Sequence, residues 1–159
     1  MPKKSAGILM YRIKDSQVRV LLLHMGGPFW AKKDAGAWSI PKGEYGEDEE
    51  PQQAARREFR EETGSEINGP FIPLAPLQQK GGKWVHAFAA EGDFNPGSLK
   101  SNTFPLEWPP KSGRMQEFPE ADRAAWFDLP QAREKILKSQ IPLLDELEEI
   151  IKRGETEKG

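Results

Sequence analysis

The N-terminal part of the chain alternates apolar runs with short polar breaks. Apolar, β-prone runs over 6–11 and 18–23 flank polar residues at 14–16, and this pattern predicts a β-hairpin or two neighbouring strands. Residues 24–37 contain three glycines, a proline and an aromatic pair, which predicts a loop with some order of its own. A short strand over 38–40 follows and ends at a proline.

Sequence signals bound one helix at both ends. Pro51 suits the first helical position, because no N–H has to be satisfied there. Gly64 suits the left-handed residue that ends a helix. The sequence therefore predicts a helix over 51–63, preceded by a loop over 43–50 that is rich in Gly and Glu.

The C-terminal half predicts three strands and one more helix. We expect strands over 71–77 and 84–90, joined by a turn at the glycines of 81–82, and a last strand over 124–127. Apolar residues over 141–151 recur at helical spacing, so this segment predicts a helix that packs on the sheet.

Length and composition indicate one domain with its own core. We expect this domain over 1–153 and a flexible polar tail over 154–159. Acidic and basic residues number 25 and 23, so charge gives no reason to expect binding to nucleic acid or to an anionic membrane. The absence of cysteine excludes disulfides and cysteine metal sites, and it fits a reducing compartment. With no signal peptide and no apolar run of membrane length, we expect a cytoplasmic monomer or homodimer.

Three glutamates on the first predicted helix are the strongest chemical signal. Glu58, Glu61 and Glu62 are spaced i, i+3 and i+4, so their carboxylates share one helix face. Like charges destabilise an isolated helix, and carboxylate oxygens are ligands that Mg²⁺ and Mn²⁺ prefer. The alternative is a solvated acidic face that neighbouring arginines neutralise.

The flanking residues favour the metal site, because they resemble the signature of the Nudix hydrolases. Residues 43–64 follow the pattern Gly-x5-Glu-x7-Arg-Glu-Phe-x-Glu-Glu-x-Gly, which arises by chance about once in a million starts or less. Ser65 departs from the family, which has an aliphatic packing residue there. The Trp-x-x-Pro-Lys-Gly sequence over 38–43 and the Trp-Phe pair at 126–127 extend the resemblance over most of the chain.

The resemblance implies a fold and a metal site. The family fold is an α/β/α sandwich around a mixed β-sheet, and the predicted order of strands and helices is compatible with it. Arg57 corresponds to the arginine that orients the glutamates, and Glu49 to an acidic residue that supports the turn into the helix. The residues that match the family's ligands to Mg²⁺ or Mn²⁺ are the three helix glutamates and one carbonyl: Glu58, Glu61, Glu62, Gly43.

The implied reaction is hydrolysis of a diphosphate linkage, with water attacking phosphorus. A bound cation neutralises the phosphates and lowers the pKa of a bound water, and a carboxylate removes the proton of that water. Glu58 is one candidate base. Glu120 stands where several relatives place a further metal ligand, and Glu117 is nearby; the alternative for both is surface charge.

The substrate is expected to be a small nucleotide-like diphosphate. The Pro-Lys-Gly segment resembles the MutT-like nucleoside-triphosphate branch and the dinucleoside-polyphosphate branch. Lys42 is placed to meet a phosphate. Trp30, Trp84 and Trp108 are candidates for stacking on a base, and Arg114 is a candidate phosphate ligand. The alternatives are packing for the tryptophans and solvation for the cations.

The segment 91–120 is rich in Pro, Gly and Ser and carries no predicted element. An unstructured loop of this length in a small domain is typically functional or mobile, so we hypothesise a loop that closes over substrate. The alternative is an insertion that covers a sheet edge. Two other functions stay open: removal of a diphosphate from an RNA 5′ end or an inositol polyphosphate, and nucleotide binding without catalysis.

Overall fold

A mixed β-sheet with helices on both faces forms the core of the computed structural model. The structure describes residues 3–79 and 81–158, and the side chains up to Gly154. The sheet strands are β1 (Lys4–Lys14), β2 (Gln17–Met25), β3 (Trp38–Ser39), β4 (Lys42–Tyr45), β5 (Ile72–Pro73), β6 (Leu77–Gln78), β7 (Trp84–Glu91) and β10 (Ala121–Asp128). A second, two-stranded sheet consists of β8 (Thr103–Glu107) and β9 (Met115–Pro119). The helices are α1 (Pro51–Thr63), α2 (Leu129–Lys135) and α3 (Ile141–Lys158).

The large sheet has the strand order β10-β2-β1-β7-β5. β1 and β7 are parallel and the other pairs are antiparallel, with β3, β4 and β6 added along β2, β1 and β7. The predicted hairpin of β1 and β2 is confirmed. Asp15 and Ser16 form its two-residue turn with positive φ angles of 53° and 64°, the turn geometry that matches strand twist.

Alternate side chains of β1 point into two separate cores. Ile8 packs with Ala55 and Phe59 of α1 on one face. Leu9 packs with Leu144 of α3 on the other face, together with side chains of α2. The expected α/β sandwich is therefore confirmed.

Helix α1 has the bounds that the sequence predicts. It begins at Pro51 and ends at Thr63, and Gly64 follows with φ 80° and donates its N–H to the carbonyl of Arg60 at 2.8 Å. Helix α3 begins as predicted and its backbone extends to Lys158. The flexible tail stays a prediction, because Gly159 and the side chains of 155–158 lie outside the described part, as do residues 1–2.

Several predicted elements are wrong in detail. The expected loop over 43–50 begins as strand β4, which pairs with β1 through Gly43 and Ala6. The expected strand over 71–77 is divided into β5 and β6, since Pro73 and Pro76 lack the N–H groups that a continuous ladder needs.

The segment 91–120 is not structureless. It contains the hairpin of β8 and β9, which the Pro- and Gly-rich composition concealed. Helix α2 was not predicted, although Asp128 caps it by accepting the N–H of Gln131 at 2.8 Å. None of the helices in the described ranges has the length and apolar character that crossing a membrane requires.

Candidate metal centre and substrate cleft

The centre of the site is the contact between α1 and β4. Glu58 is a buried glutamate, 7 % exposed, and its carboxylate lies against the backbone of Gly43. A Cβ atom at position 43 would come within 2.0 Å of Glu58 Oε2. Position 43 therefore requires glycine, because only a residue without a side chain leaves room for the Glu58 carboxylate beside the strand backbone.

Arg57 connects the turn before α1 to two of the helix glutamates. Its Nε and Nη2 donate to the two oxygens of Glu49 at 2.8 and 2.9 Å. Its Nη1 donates to Glu58 Oε1 at 2.8 Å and to Glu61 Oε2 at 3.1 Å. Hydrogen bonding to Glu49 is the main cause of the raised pKa of Arg57, and the same bond lowers the pKa of Glu49. The guanidinium is thus a permanent charge that positions carboxylates.

One carboxylate oxygen of Glu62 lacks a hydrogen-bond partner. Burial raises its pKa well above the usual value, and repulsion by Glu58 and Glu120 adds to the shift. The backbone N–H of Lys42 donates to this carboxylate, but its buried Oε2 has no hydrogen-bond partner. A buried oxygen without a donor is costly, so a cation is the natural partner for it.

Glu120 comes from a distant part of the chain to face the same glutamates. Its N–H donates to the carbonyl of Asn102 at 2.8 Å, and its carbonyl accepts from Gly26 at 2.9 Å. Burial first and repulsion by Glu61 second raise its pKa. The pKa of Glu58 is also raised, mainly by burial, although hydrogen bonding to Arg57 opposes the shift.

The residues fit a hard divalent cation. Four carboxylates repel one another, one buried oxygen is unsatisfied, and all the donors are oxygens. Among the described side chains of residues 3–79 and 81–154, no group of three His, Cys, Asp or Glu is already arranged to hold a metal ion. The groups that could hold the cation are Glu58, Glu61, Glu62, Glu120 and the carbonyl of Gly43.

A cleft of about 310 Å³ opens beside these carboxylates. Glu62 and Glu120 lie on its acidic side, and Lys42, Trp30 and Phe104 line the remainder together with part of β2. Trp30 makes an edge contact with the exposed ring of Phe29, with the ring centroids 5.2 Å apart. The cleft therefore joins a group of carboxylates, the Lys42 ammonium and the aromatic side chains of Trp30 and Phe104.

Lys42 is half-buried and close to a second lysine. Burial is the main cause of its lowered pKa, and repulsion by Lys83 adds to it, whereas Glu62 opposes the shift. Lys83 donates to Glu44 Oε1 at 3.3 Å. Nothing in the sequence marks Lys83 as a site residue, because it follows the glycine turn and meets Lys42 only through strand pairing.

The other predicted substrate residues lie outside the cleft lining. Trp84 is at the start of β7, opposite Lys4 and Gln78. Trp108 and Arg114 are at the tip of the β8–β9 hairpin, joined by a backbone hydrogen bond of 2.9 Å. Phe104 lines the cleft and was not predicted, since it lay in a segment with no predicted element.

The two histidines have different environments. His24 is fully buried in the cleft wall, with Nδ1 2.7 Å from Asp122 Oδ1 and Nε2 2.6 Å from the carbonyl of Lys33. It thereby connects the loop after β2 to β10. His86 has its pKa lowered by burial and makes an edge contact with Tyr45. We interpret both as structural residues.

Known proteins resemble this chain in sequence and in fold. One relative, an octanoyltransferase of Myxococcus xanthus, is 29 % identical over 135 residues, which are 85 % of this chain and 33 % of that protein. The present chain thus spans about a third of that relative, and this match carries no conclusion about acyl transfer.

Solved structures of low identity share the fold. An Ap4A hydrolase of C. elegans in a binary complex superposes with a TM-score of 0.65 at 22 % identity, covering 94 % of this chain and 97 % of the other. The NUDIX domain of Shewanella oneidensis NrtR, complexed with ADP ribose, gives 0.66 at 15 % identity, covering 95 % and 89 %. A mutT/nudix family protein of Listeria innocua gives 0.65 at 19 %, covering 97 % of each chain.

The family assignment comes from the sequence match. The family model for the NUDIX domain matches residues 1–147, a range that contains the whole sheet, helix α1 and every residue of the site described above. The chain therefore belongs to the NUDIX domain family.

Proposed function

We propose that this protein is a metal-dependent hydrolase that cuts a diphosphate linkage in a nucleoside triphosphate or dinucleoside polyphosphate. The observation that carries the proposal is the buried, unpartnered Oε2 of Glu62, which lies among mutually repelling carboxylates beside a cleft with a lysine. A site with this charge arrangement can take a cation and a phosphate chain together.

Mg²⁺ or Mn²⁺, when bound, would neutralise phosphate charge and lower the pKa of a coordinated water. The donors for it are the carboxylates of Glu58, Glu61, Glu62 and Glu120 and the carbonyl of Gly43. Arg57 holds Glu58 and Glu61 at fixed positions, since it is itself anchored on Glu49. Such support from outside the ligand set is typical of metal sites.

A carboxylate of the site accepts the proton of the attacking water. Glu58 and Glu120 both have pKa values raised by burial, which makes each a stronger base than a solvated carboxylate. Glu117 does not fit this role, because it does not line the cleft and accepts a hydrogen bond from Thr103 Oγ1 at 2.5 Å. Glu62 also has a pKa raised by burial, but its unpartnered Oε2 assigns it to the cation in this proposal, so Glu58 and Glu120 are the candidate bases.

The remaining cleft residues suit the rest of a nucleotide. Lys42 lines the same cleft as Glu62 and Glu120 and forms no ion pair within 4 Å among the described side chains, so it suits a phosphate oxygen. Trp30 and Phe104 offer ring faces or edges to a base. Lys83, which is near enough to Lys42 to repel it, adds positive charge to the same region.

The comparisons support a nucleotide-like ligand in general terms, since two proteins with this fold are an Ap4A hydrolase and a domain complexed with ADP ribose. The alternatives are hydrolysis at an RNA 5′ end or of an inositol polyphosphate, and binding without catalysis. The retained glutamates argue against the binding-only function, and the balanced charge of 23 basic and 25 acidic residues argues against a polyanion. Cytoplasmic location and a monomeric or dimeric state stay predictions.

A nucleotide panel tests the proposal. Purified protein is incubated with nucleoside triphosphates, dinucleoside polyphosphates and ADP-ribose, with Mg²⁺, with Mn²⁺ or with EDTA, and phosphate, diphosphate and mononucleotide products are measured. We expect turnover of a polyphosphate that EDTA abolishes. Metal-independent turnover, or binding of nucleotides with no product under any metal, would overturn the proposal.

A further inference from the structure

The hairpin of β8 and β9 extends from the domain as a separate two-stranded sheet. Phe104 pairs with Phe118 and Leu106 with Gln116, and the two strands pair with no other strand in the described part of the chain. A two-stranded hairpin is marginally stable in water unless it packs against something. Its stability and its position must therefore come from contacts at its base or from a ligand.

The base of the hairpin is attached to the metal site. Asn102 donates its N–H to the carbonyl of Glu61 at 3.0 Å, and Glu120 donates its N–H to Asn102 at 2.8 Å. A Cβ atom at Gly26 would lie 1.9 Å from the carbonyl oxygen of Pro119, so the loop after β2 is packed directly against the end of β9. The direction of the hairpin relative to the glutamates is set by these contacts.

One face of the hairpin is an apolar stripe that starts in the cleft. Side chains along β8 alternate between half-buried and exposed. The half-buried ones, which we call the hairpin stripe, are Phe104, Leu106 and Trp108. Phe104 lines the cleft and packs beside Phe118, with ring centroids 6.2 Å apart. A row of apolar side chains that borders a polar cleft is typical of a ligand groove or an interface.

The tip of the hairpin is ordered and positively charged. Gln116 Nε2 donates to the carbonyl of Trp108 at 2.7 Å, and the N–H of Lys111 donates to Glu107 Oε1 at 2.7 Å. The side chains of Lys111 and Arg114 are exposed. The stripe therefore ends beside two cations, which can pack on the face of an aromatic ligand ring.

We propose that the hairpin stripe binds the second aromatic end of a two-ended polyphosphate substrate, an inference that rests on the proposed function. Phe104 and Trp108 are four residues apart, about 13 Å along an extended strand. A mononucleotide with its phosphates at Glu62 and its base at Trp30 has no further group to place along that distance. A dinucleoside polyphosphate has one, because its second nucleoside can lie along the stripe while its phosphate chain stays beside the carboxylates of the cleft.

The test compares a two-ended and a one-ended substrate. Leu106→Ser and Trp108→Ala are assayed with diadenosine tetraphosphate and with ATP, both with Mg²⁺. We expect kcat/KM for diadenosine tetraphosphate to fall about tenfold or more, mainly through KM, because loss of the stacking contact to one base weakens binding by about this factor. For ATP we expect a change of about twofold or less. Met115→Ala is the matched control, because Met115 pairs with Glu107 on the exposed face of the same hairpin.

Other outcomes overturn the inference. An equal loss for both substrates with a lowered melting temperature would make the stripe structural, and no loss for either would make it irrelevant. A change in sedimentation of the variants would assign the stripe to a second copy of this chain. Calorimetry of diadenosine tetraphosphate binding to Glu62→Gln, with and without Leu106→Ser, separates the two proposals. If Leu106→Ser weakens this binding but the wild-type protein shows no turnover, the proposed reaction fails and the two-ended ligand stands.

Discussion

Gly43 and Glu58 are so close that position 43 has no room for a side chain. A Cβ atom there would lie 2.0 to 2.5 Å from the three terminal atoms of the Glu58 carboxylate. The carbonyl of Gly43 and that carboxylate are thus brought together by one packing contact between β4 and α1. The same contact joins two of the groups that we propose as metal donors.

Gly43→Ala should therefore damage the site more than the fold. The added methyl has to displace the Glu58 carboxylate, and we expect turnover to fall roughly 10- to 100-fold, as when support for a metal ligand is lost. Strain should cost about 1–3 kcal/mol of unfolding free energy. Steady-state kinetics and denaturant unfolding measure the two effects.

Gly46→Ala is the control for this substitution. Gly46 directly follows the end of β4, and a Cβ atom there would meet nothing within 4 Å. Activity and stability should be unchanged. Equal activity of the two alanine variants would show that the position of Glu58 does not matter for turnover.

Arg57→Ala should lower activity much more than stability. Arg57 is the only donor to both Glu58 and Glu61 among the hydrogen bonds of the described side chains, and its removal frees both carboxylates. We expect a loss of roughly 10- to 100-fold in kcat. Arg57→Lys should recover little, because an ammonium cannot reproduce the paired bonds to Glu49.

Arg60→Ala is the control for the arginine, since Arg60 is an exposed residue of the same helix that reaches only Glu66, at 3.4 Å. Thermal midpoints of all three variants should be recorded with the kinetics. If Arg57→Ala unfolds readily but keeps its specific activity, Arg57 is merely a structural residue.

The raised pKa of Glu62 predicts an unusual pH dependence for the stability of the metal-free protein. Its folded pKa is raised above the usual carboxyl value, so the folded protein binds more protons than the unfolded chain between the two pKa values. Stability of the metal-free protein should then fall as pH rises from about 4.5 through the raised pKa. Mg²⁺ should reverse the loss at neutral pH.

Glu62→Gln removes this titration. Without metal the variant should be more stable than the wild type at neutral pH, and added Mg²⁺ should stabilise it less. Turnover should collapse, because the amide keeps the shape but loses the charge. Calorimetric melting with and without Mg²⁺ checks this without any substrate. A variant that binds Mg²⁺ as tightly as the wild type and turns over normally would remove Glu62 from the site.

The parts of the molecule that local sequence determines were predicted well. Helix α1 has its terminal proline and glycine within its own sequence, so its bounds were correct to the residue. The hairpin of β1 and β2 has its turn between its own strands. The spacing of Glu58, Glu61 and Glu62 required only helical periodicity, and the structure places Arg57 beside two of them.

Long-range pairing explains what was missed. Phe104 lines the cleft, and near it Asn102 donates its N–H to Glu61 in the last turn of α1, a contact that no local pattern records. Lys83 approaches Lys42 because β7 and β4 both pair with β1. The hairpin of β8 and β9 was hidden by prolines at 105, 109, 110 and 119, which normally indicate loops.

Lys83→Met should alter the alkaline limb of the substrate-binding profile. Repulsion by Lys83 is the second cause of the lowered pKa of Lys42, after burial. A lysine binds phosphate only when protonated, so KM should rise as pH increases through the pKa of Lys42. Removal of Lys83 raises that pKa, and the rise in KM should then occur at higher pH, with KM at neutral pH altered by about threefold or less if Lys83 acts mainly through Lys42.

Lys42→Met should raise KM about tenfold or more at neutral pH and abolish the alkaline limb. Lys14→Met, an exposed lysine at the β1–β2 turn, is the control and should change neither. The measurement is kcat and KM for the best substrate of the panel from pH 7 to beyond the alkaline limb. An alkaline limb that survives in Lys42→Met would show that another group binds the phosphate chain, and an unshifted limb in Lys83→Met would separate the two lysines.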